Sequence, residues 1–231
     1  MSELLDIGRI LSVWLVPIVT AITLHEAAHA WMAERLGDDT ARRLGRVSFN
    51  PLRHVDPLGT LVVPGLLLLL KAPFLFGWAK PVPVAFHRLN HPKRDMVWVA
   101  LAGPGINLLL ALVAGLLMHV SVRLPGVAAL WLTENLRNAI LANVVLAAFN
   151  MLPLLPLDGG RVLTGLLPMP LARRYARTER YGMLVLLVIL FGLPLLAREL
   201  GVAFNPVATV LLPVVGWLVE LVGILSGWRL R

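Results

Sequence analysis

The sequence predicts an all-α polytopic membrane protein with about five to six transmembrane helices. Hydrophobic residues fill 58% of its 231 positions and charged residues only 15%, where a soluble domain carries about a quarter charged. Mean hydropathy is +0.80. The apolar residues gather into runs of about 20, enough for a helix to cross a hydrocarbon core of roughly 30 Å. No hydrophilic stretch is long enough for a second domain, so residues 1–231 read as one integral membrane domain.

The first span, Leu11 to Ala33, follows MSELLDIGRI, which is acidic before Arg9 and lacks the basic start of a signal peptide. It is expected to stay in the chain. The next apolar stretch, Gly59 to Gly77, is interrupted by Pro64, Gly65, Lys71 and Pro73. It reads as a re-entrant or surface-lying segment, with a sixth full crossing as the alternative. GWAKPVPVAF, from Gly77 to Phe86, has extended-chain character, and Pro81 and Pro83 confine it to the edge of a sheet. A short β segment and a proline-rich connector both fit it. Met96 to Val120 contains ALAGPGIN, where Gly103, Gly105 and Ala111 allow close helix approach around one buried amide, Asn107. Ala139 to Leu157 ends in NMLPLLPLD, whose Pro153 and Pro156 free backbone groups. Such backbone is tolerated at membrane depth where it lines a cavity. Tyr181 to Ala197 and Pro206 to Leu225 make a C-terminal helical pair within 181–231. The pair carries no metal-type cluster, and packing, substrate gating or a homo-oligomer contact all suit it.

Basic residues orient these spans. Five Arg lie between Arg35 and Arg53, five Lys and Arg between Lys71 and Arg94, five Arg between Arg161 and Arg180, and two in the tail. Five crossings put these seventeen of the 21 basic residues on one side, the cytoplasmic one, provided Gly59 to Gly77 dips in and returns. The N-terminus is then outside and the C-terminus cytoplasmic. The net charge of +8 becomes a belt facing anionic headgroups of the lipid bilayer, and no nucleic-acid partner is needed to explain it.

Within the first span stands LHEAAHA, in which His25 and His29 share a helical face with Glu26 beside them. This is the geometry of a zinc site and its general base, placed where ionisable groups are expensive and usually functional. The chain has no cysteine, so a zinc ion must be held by His and carboxylate, and a third protein ligand is required. Asp158, at the inner end of a span running in the same direction, has the right depth and side. Glu220 is the runner-up, while Asp95 and Glu134 lie at loop edges. His54, His87 and His91 fall in basic, proline-containing loops and read as solvated or lipid-facing.

The series HEAAH, GWAKPVPV, AGPGIN and NMLPLLPLDGGRVL resembles the site-2 protease family of intramembrane zinc metalloproteases, over residues 11–163. The resemblance implies a metalloprotease core there, with one Zn2+ per chain on His25, His29 and Asp158 and with Glu26 as the base that activates water. It favours Asn150 as the oxyanion donor, with Asn107 as the other neutral candidate. It implies hydrolysis of peptide bonds in or near transmembrane segments of membrane-protein substrates in the cell membrane. The chain has no room for a PDZ domain between the motifs or a terminal CBS pair, so it resembles a compact subclass. Val82 and Val84 are expected to hold unwound substrate by backbone pairing. The competing function is a membrane metal-ion transporter using the same His and Asp residues.

Overall fold

The computed structural model describes residues 2–69, 77–202 and 204–228. Among them the regular elements are all helical: α1 (Ser2–Arg35), α2 (Thr40–Arg43), α3 (Val63–Leu69), α4 (Pro92–Ser121), α5 (Gly126–Asn150), α6 (Asp158–Leu166), α7 (Met169–Ala176), α8 (Glu179–Leu187), α9 (Leu193–Glu199) and α10 (Pro206–Ser226). Among the described residues, four runs are long and apolar enough to cross a membrane: Gly8–Arg35, Pro92–Ser121, Glu179–Glu199 and Ala208–Ser226. The third joins α8 to α9 through one π turn, Val188–Gly192.

The expected span Ala139 to Leu157 takes a different shape. Its helix, α5, starts at Gly126 and stops at Asn150, because Pro153 and Pro156 cannot continue it. With Glu134, Arg137 and four Asn spread along it, α5 is not among these four runs. It packs against α1 and α4, burying Asn135 and Asn143. Of the predicted segment Gly59 to Gly77, a π-helical stretch Pro57–Val62 leads into α3, and residues 70–76 lie outside the described residues. The short β segment expected after it is absent among the described residues. Residues 77–85 are non-helical but build no ladder.

Small residues set the packing. The buried face of α4 reads Val99, Gly103, Asn107, Ala111, Ala114, Met118 and Ser121, a spacing of three and four that keeps one stripe inward. Ala111, Ala114 and Met118 meet Leu136, Ile140, Val144 and Ala148 of α5 and Val215 and Val222 of α10 in the main core. A smaller cluster joins Ala33, Val99 and Leu89, with Val84 and Phe86 packed on it. Gly105, expected to share in close packing, instead faces open space.

Two helices in a row end by the same device. After α1, Gly37 takes φ +106 while its N–H donates to the Glu34 carbonyl (3.2 Å) and that of Asp38 to Ala33 (2.9 Å). After α2, Gly45 takes φ +64, with Gly45 N–H on Arg42 and Arg46 N–H on Ala41, both 2.8 Å. Each is a Schellman cap, which needs a left-handed residue that glycine adopts without strain. The residue delivered by each cap is charged and buried: Asp38, then Arg46.

Candidate metal centre

One turn of α1 carries His25 and His29, whose rings meet edge to face with centroids 4.6 Å apart. Both rings are oriented from behind. His25 Nδ1 donates to Asn107 Oδ1 on α4 (2.6 Å), and His29 Nδ1 donates to the Val99 carbonyl (2.7 Å). An oxygen acceptor at each Nδ1 fixes the proton there in the neutral ring and leaves each Nε2 with a bare lone pair. These two Nε2 atoms lie 3.0 Å apart. Asp158 Oδ2 lies 3.3 Å from each and has no hydrogen-bond partner among the described residues. With both rings neutral, three lone-pair donors converge within metal-ligand reach of one another, so the arrangement fits a metal ion held by His and carboxylate.

The cradle around them is made by glycine. A Cβ on Gly103 would land on His29 Nε2 and lie 2.6 Å from His25 Cε1, so α4 can approach the imidazoles only without a side chain at this position. Asp158 is the first residue of α6, at the end of the helix whose partial charge favours an anion. Gly159 and Gly160 let this turn lie on the backbone of Met151, Leu154 and Leu155, and Gly165 seats α6 against Val97 and the Lys93 carbonyl of α4. The LDGG motif therefore serves to bring a carboxylate from late in the chain onto the HEAAH turn.

Asn107, expected as a candidate oxyanion donor, holds His25 from behind at Oδ1. Its Nδ2 donates to the Ala21 carbonyl (3.2 Å) and to Asn143 Oδ1 (2.8 Å), which uses both amide hydrogens. Asn143 in turn donates to the Ala139 carbonyl (2.8 Å). Sequence reading missed Asn143, although an Asn in the apolar half of α5 was the available signal. Asn150 closes α5 and gives one amide hydrogen to Leu146 (3.0 Å), leaving the other. Its neighbour Met151 packs on Gly159, so Asn150 and Asp158 share one turn region. Glu220 is exposed on α10 and is not part of the donor cluster.

Glu26 points to the 77–85 segment, accepting the Val82 N–H at Oε2 (2.9 Å). Val84 is half-buried on the smaller apolar cluster, so its side chain anchors the segment. On one flank, Trp78 N–H donates to the Gly59 carbonyl (3.1 Å) and Lys80 N–H to that of His54 (2.9 Å). His54 is itself 2% exposed and bonds the Ser48 carbonyl through Nε2 (2.9 Å). The expectation of a solvated or lipid-facing His54 fails because the loop folds back over this segment.

A family model described as Peptidase family M50 matches residues 126–193. A Bacillus subtilis protein named "Putative zinc metalloprotease YwhC" is 38% identical over 184 residues, covering 78% of this chain and 80% of its own. Rip2 of Mycobacterium tuberculosis, which carries the same description, is 32% identical over 196 residues, covering 83% of this chain and 70% of its own. No solved structure matches the chain. On these likenesses, and with apolar helices fit to cross a bilayer, the chain belongs to peptidase family M50 as a multi-pass zinc metalloprotease of the site-2 type.

Proposed function

We propose that this protein is an intramembrane endopeptidase that cuts peptide bonds in or near transmembrane segments of membrane-protein substrates, using one zinc ion on His25, His29 and Asp158. The observation supporting this most directly is the meeting of three metal-type donor atoms beside Glu26, on a helix apolar enough to span a bilayer. When bound, the ion supplies a polarised carbonyl and a water of lowered pKa. Glu26 takes the proton from the attacking water and passes it to the leaving amine. Val82 N–H on Oε2 holds the carboxylate, leaving its other oxygen for the proton. Asn150, with one amide hydrogen uncommitted to Leu146, serves the developing oxyanion.

A helical substrate has its backbone groups already paired, so it must unwind before attack. The 77–85 segment, which touches Glu26 at Val82, is the wall against which the unwound strand lies. Residues 11–163 form the metalloprotease core, flanked by the helical pair in 181–231. The Lys and Arg distribution supports an outside N-terminus and a cytoplasmic C-terminus. Cleavage would then release a membrane-tethered factor or clear a remnant segment. All three donors come from one chain, so the chemistry needs no second copy.

Glu26→Gln is the test. Purified wild type and variant are each reconstituted with zinc and assayed on a transmembrane substrate. The expected result is one zinc per chain in both, with cleavage reduced by at least about 100-fold in the variant. Undiminished cleavage removes Glu26 from the mechanism. A variant altered in zinc flux, from a wild type that cleaves nothing, moves the assignment to a transporter.

A further inference from the structure

Arg46 is 6% exposed, and its neighbours are backbone carbonyls rather than a carboxylate. Its guanidinium donates to the Arg53 carbonyl, to Lys80 (2.5 Å) and to Pro81 (3.3 Å), while Nε has no partner among the described residues. The nearest catalytic group feels this charge: burial pulls the Arg46 pKa below its ordinary value and the Glu26 carboxylate opposes that pull. An arginine buried without an ion-pair partner is costly, and none of the chemistry assigned above uses it.

The grip on residues 80–85 is sorted by hydrogen-bonding type. Pro81 and Pro83 have no N–H, so this stretch cannot be fixed by a regular ladder. Its carbonyls at Lys80 and Pro81 go to Arg46, a side chain that only donates. Its N–H groups at Val82 and Ala85 go to Glu26 (2.9 Å) and Asp38 (2.6 Å), which when ionised only accept. The Arg46 contact precedes Val82 directly in the chain, so it sets where the Val82 N–H points.

We propose that Arg46 is a positioning residue for hydrolysis: by clamping the Lys80 and Pro81 carbonyls it holds the Val82 N–H against Glu26 and thereby fixes the base. The fork geometry is essential, because Nη1 takes the Arg53 carbonyl while Nη2 takes those of Lys80 and Pro81, and an ammonium is a point charge without such a fixed pair of donor nitrogens. The inference rests on the protease reading of this site, yet its structural half can be tested without any cleavage.

Three full-length variants decide it: Arg46→Met, Arg46→Lys, and Arg53→Met as a control that removes an exposed charge from the same loop. Zinc content, kcat, KM and amide hydrogen exchange at Val82 are measured in each. The expected result for Arg46→Met is one zinc per chain, a 10- to 100-fold lower kcat with KM little changed, and Val82 exchange at least tenfold faster. Arg46→Lys should recover only part of both losses, and Arg53→Met should match wild type. The inference is overturned by wild-type Val82 exchange and kcat in both Arg46 variants, by full recovery in Arg46→Lys, or by loss of zinc from Arg46→Lys. If wild type itself cleaves nothing, the protease reading fails separately, and Val82 exchange still decides the clamp.

Discussion

The donor cluster and the 77–85 segment meet at Glu26 and are held by opposite means. Around the cluster, glycines allow close approach at every side, Gly103 to the two imidazoles, Gly159 and Gly160 to the backbone of Met151, Leu154 and Leu155, and Gly165 to α4, and the donor atoms sit 3.0–3.3 Å apart. The segment has no ladder and few apolar anchors, and three charged side chains grip its backbone. Close-packed interiors do not yield to an added methyl group, whereas hydrogen-bonded clamps open one contact at a time. The metal end of this site is therefore built to be rigid, and the 77–85 segment to be adjustable.

The most severe way to break this asymmetry removes no polar atom at all. Gly103→Ala should empty the site of zinc and abolish cleavage, because the new methyl occupies the space of His29 Nε2. Gly105→Ala, two residues away and facing open space, should leave zinc content and thermal stability as in wild type, within about 0.5 kcal/mol. Zinc per chain, measured for the pair in the same detergent, checks both. Equal retention would mean that the helices are not tightly fixed around the imidazoles.

Asn107→Leu is next in size. It leaves all three donors in place but frees His25 Nδ1 from its acceptor, so the tautomer and ring angle are no longer set. Loss of such an orienting contact typically costs about 10- to 100-fold in metal affinity, readable by competition against a chelator. An unchanged affinity would show that packing alone orients His25.

The smallest effect is expected on the segment, at Asp38. Burial would raise its pKa, but bonds from Thr40 and the Ala85 N–H and the charge of Arg88 outweigh it and hold the carboxyl below its ordinary value. A depressed folded pKa contributes stability that is complete above the unfolded value, about 3.9, and lost as pH falls through the folded value. Ala85 exchange, corrected for its intrinsic pH dependence, should therefore accelerate only below about pH 4. Asp38→Asn should remove that acid limb, lower cleavage a fewfold and leave zinc bound. A loss of zinc in this variant would merge the two regions into one cooperative unit.

Much of the cluster is legible in the chain because its logic is periodic. His25 and His29 share a helix face whatever surrounds them, and only a few carboxylates adjoin an apolar run. The extent of α5 was harder to read, since its polar residues make it resemble a loop followed by a span until α1 and α4 are seen to cover it. Asn107 was visible as a buried amide, but its task depends on Asn143 and His25, one on another helix and one far back in the chain. Arg46 and Asp38 gave the weakest signal. Each looks like one more charge in a basic loop, and only the Gly37 and Gly45 caps turn them inward.

The split of the donor set along the chain has a consequence for biosynthesis. His25 and His29 are made with α1, but their carboxylate partner arrives with α6, after α4 and α5 have been built. A growing chain can offer two imidazoles, which hold a divalent ion far less firmly than a complete set of deprotonated ligands. Capture of the ion thus waits until α6 docks on α4 through Gly165. A growing chain is therefore without its complete donor set until α4, α5 and α6 have all been made and packed together.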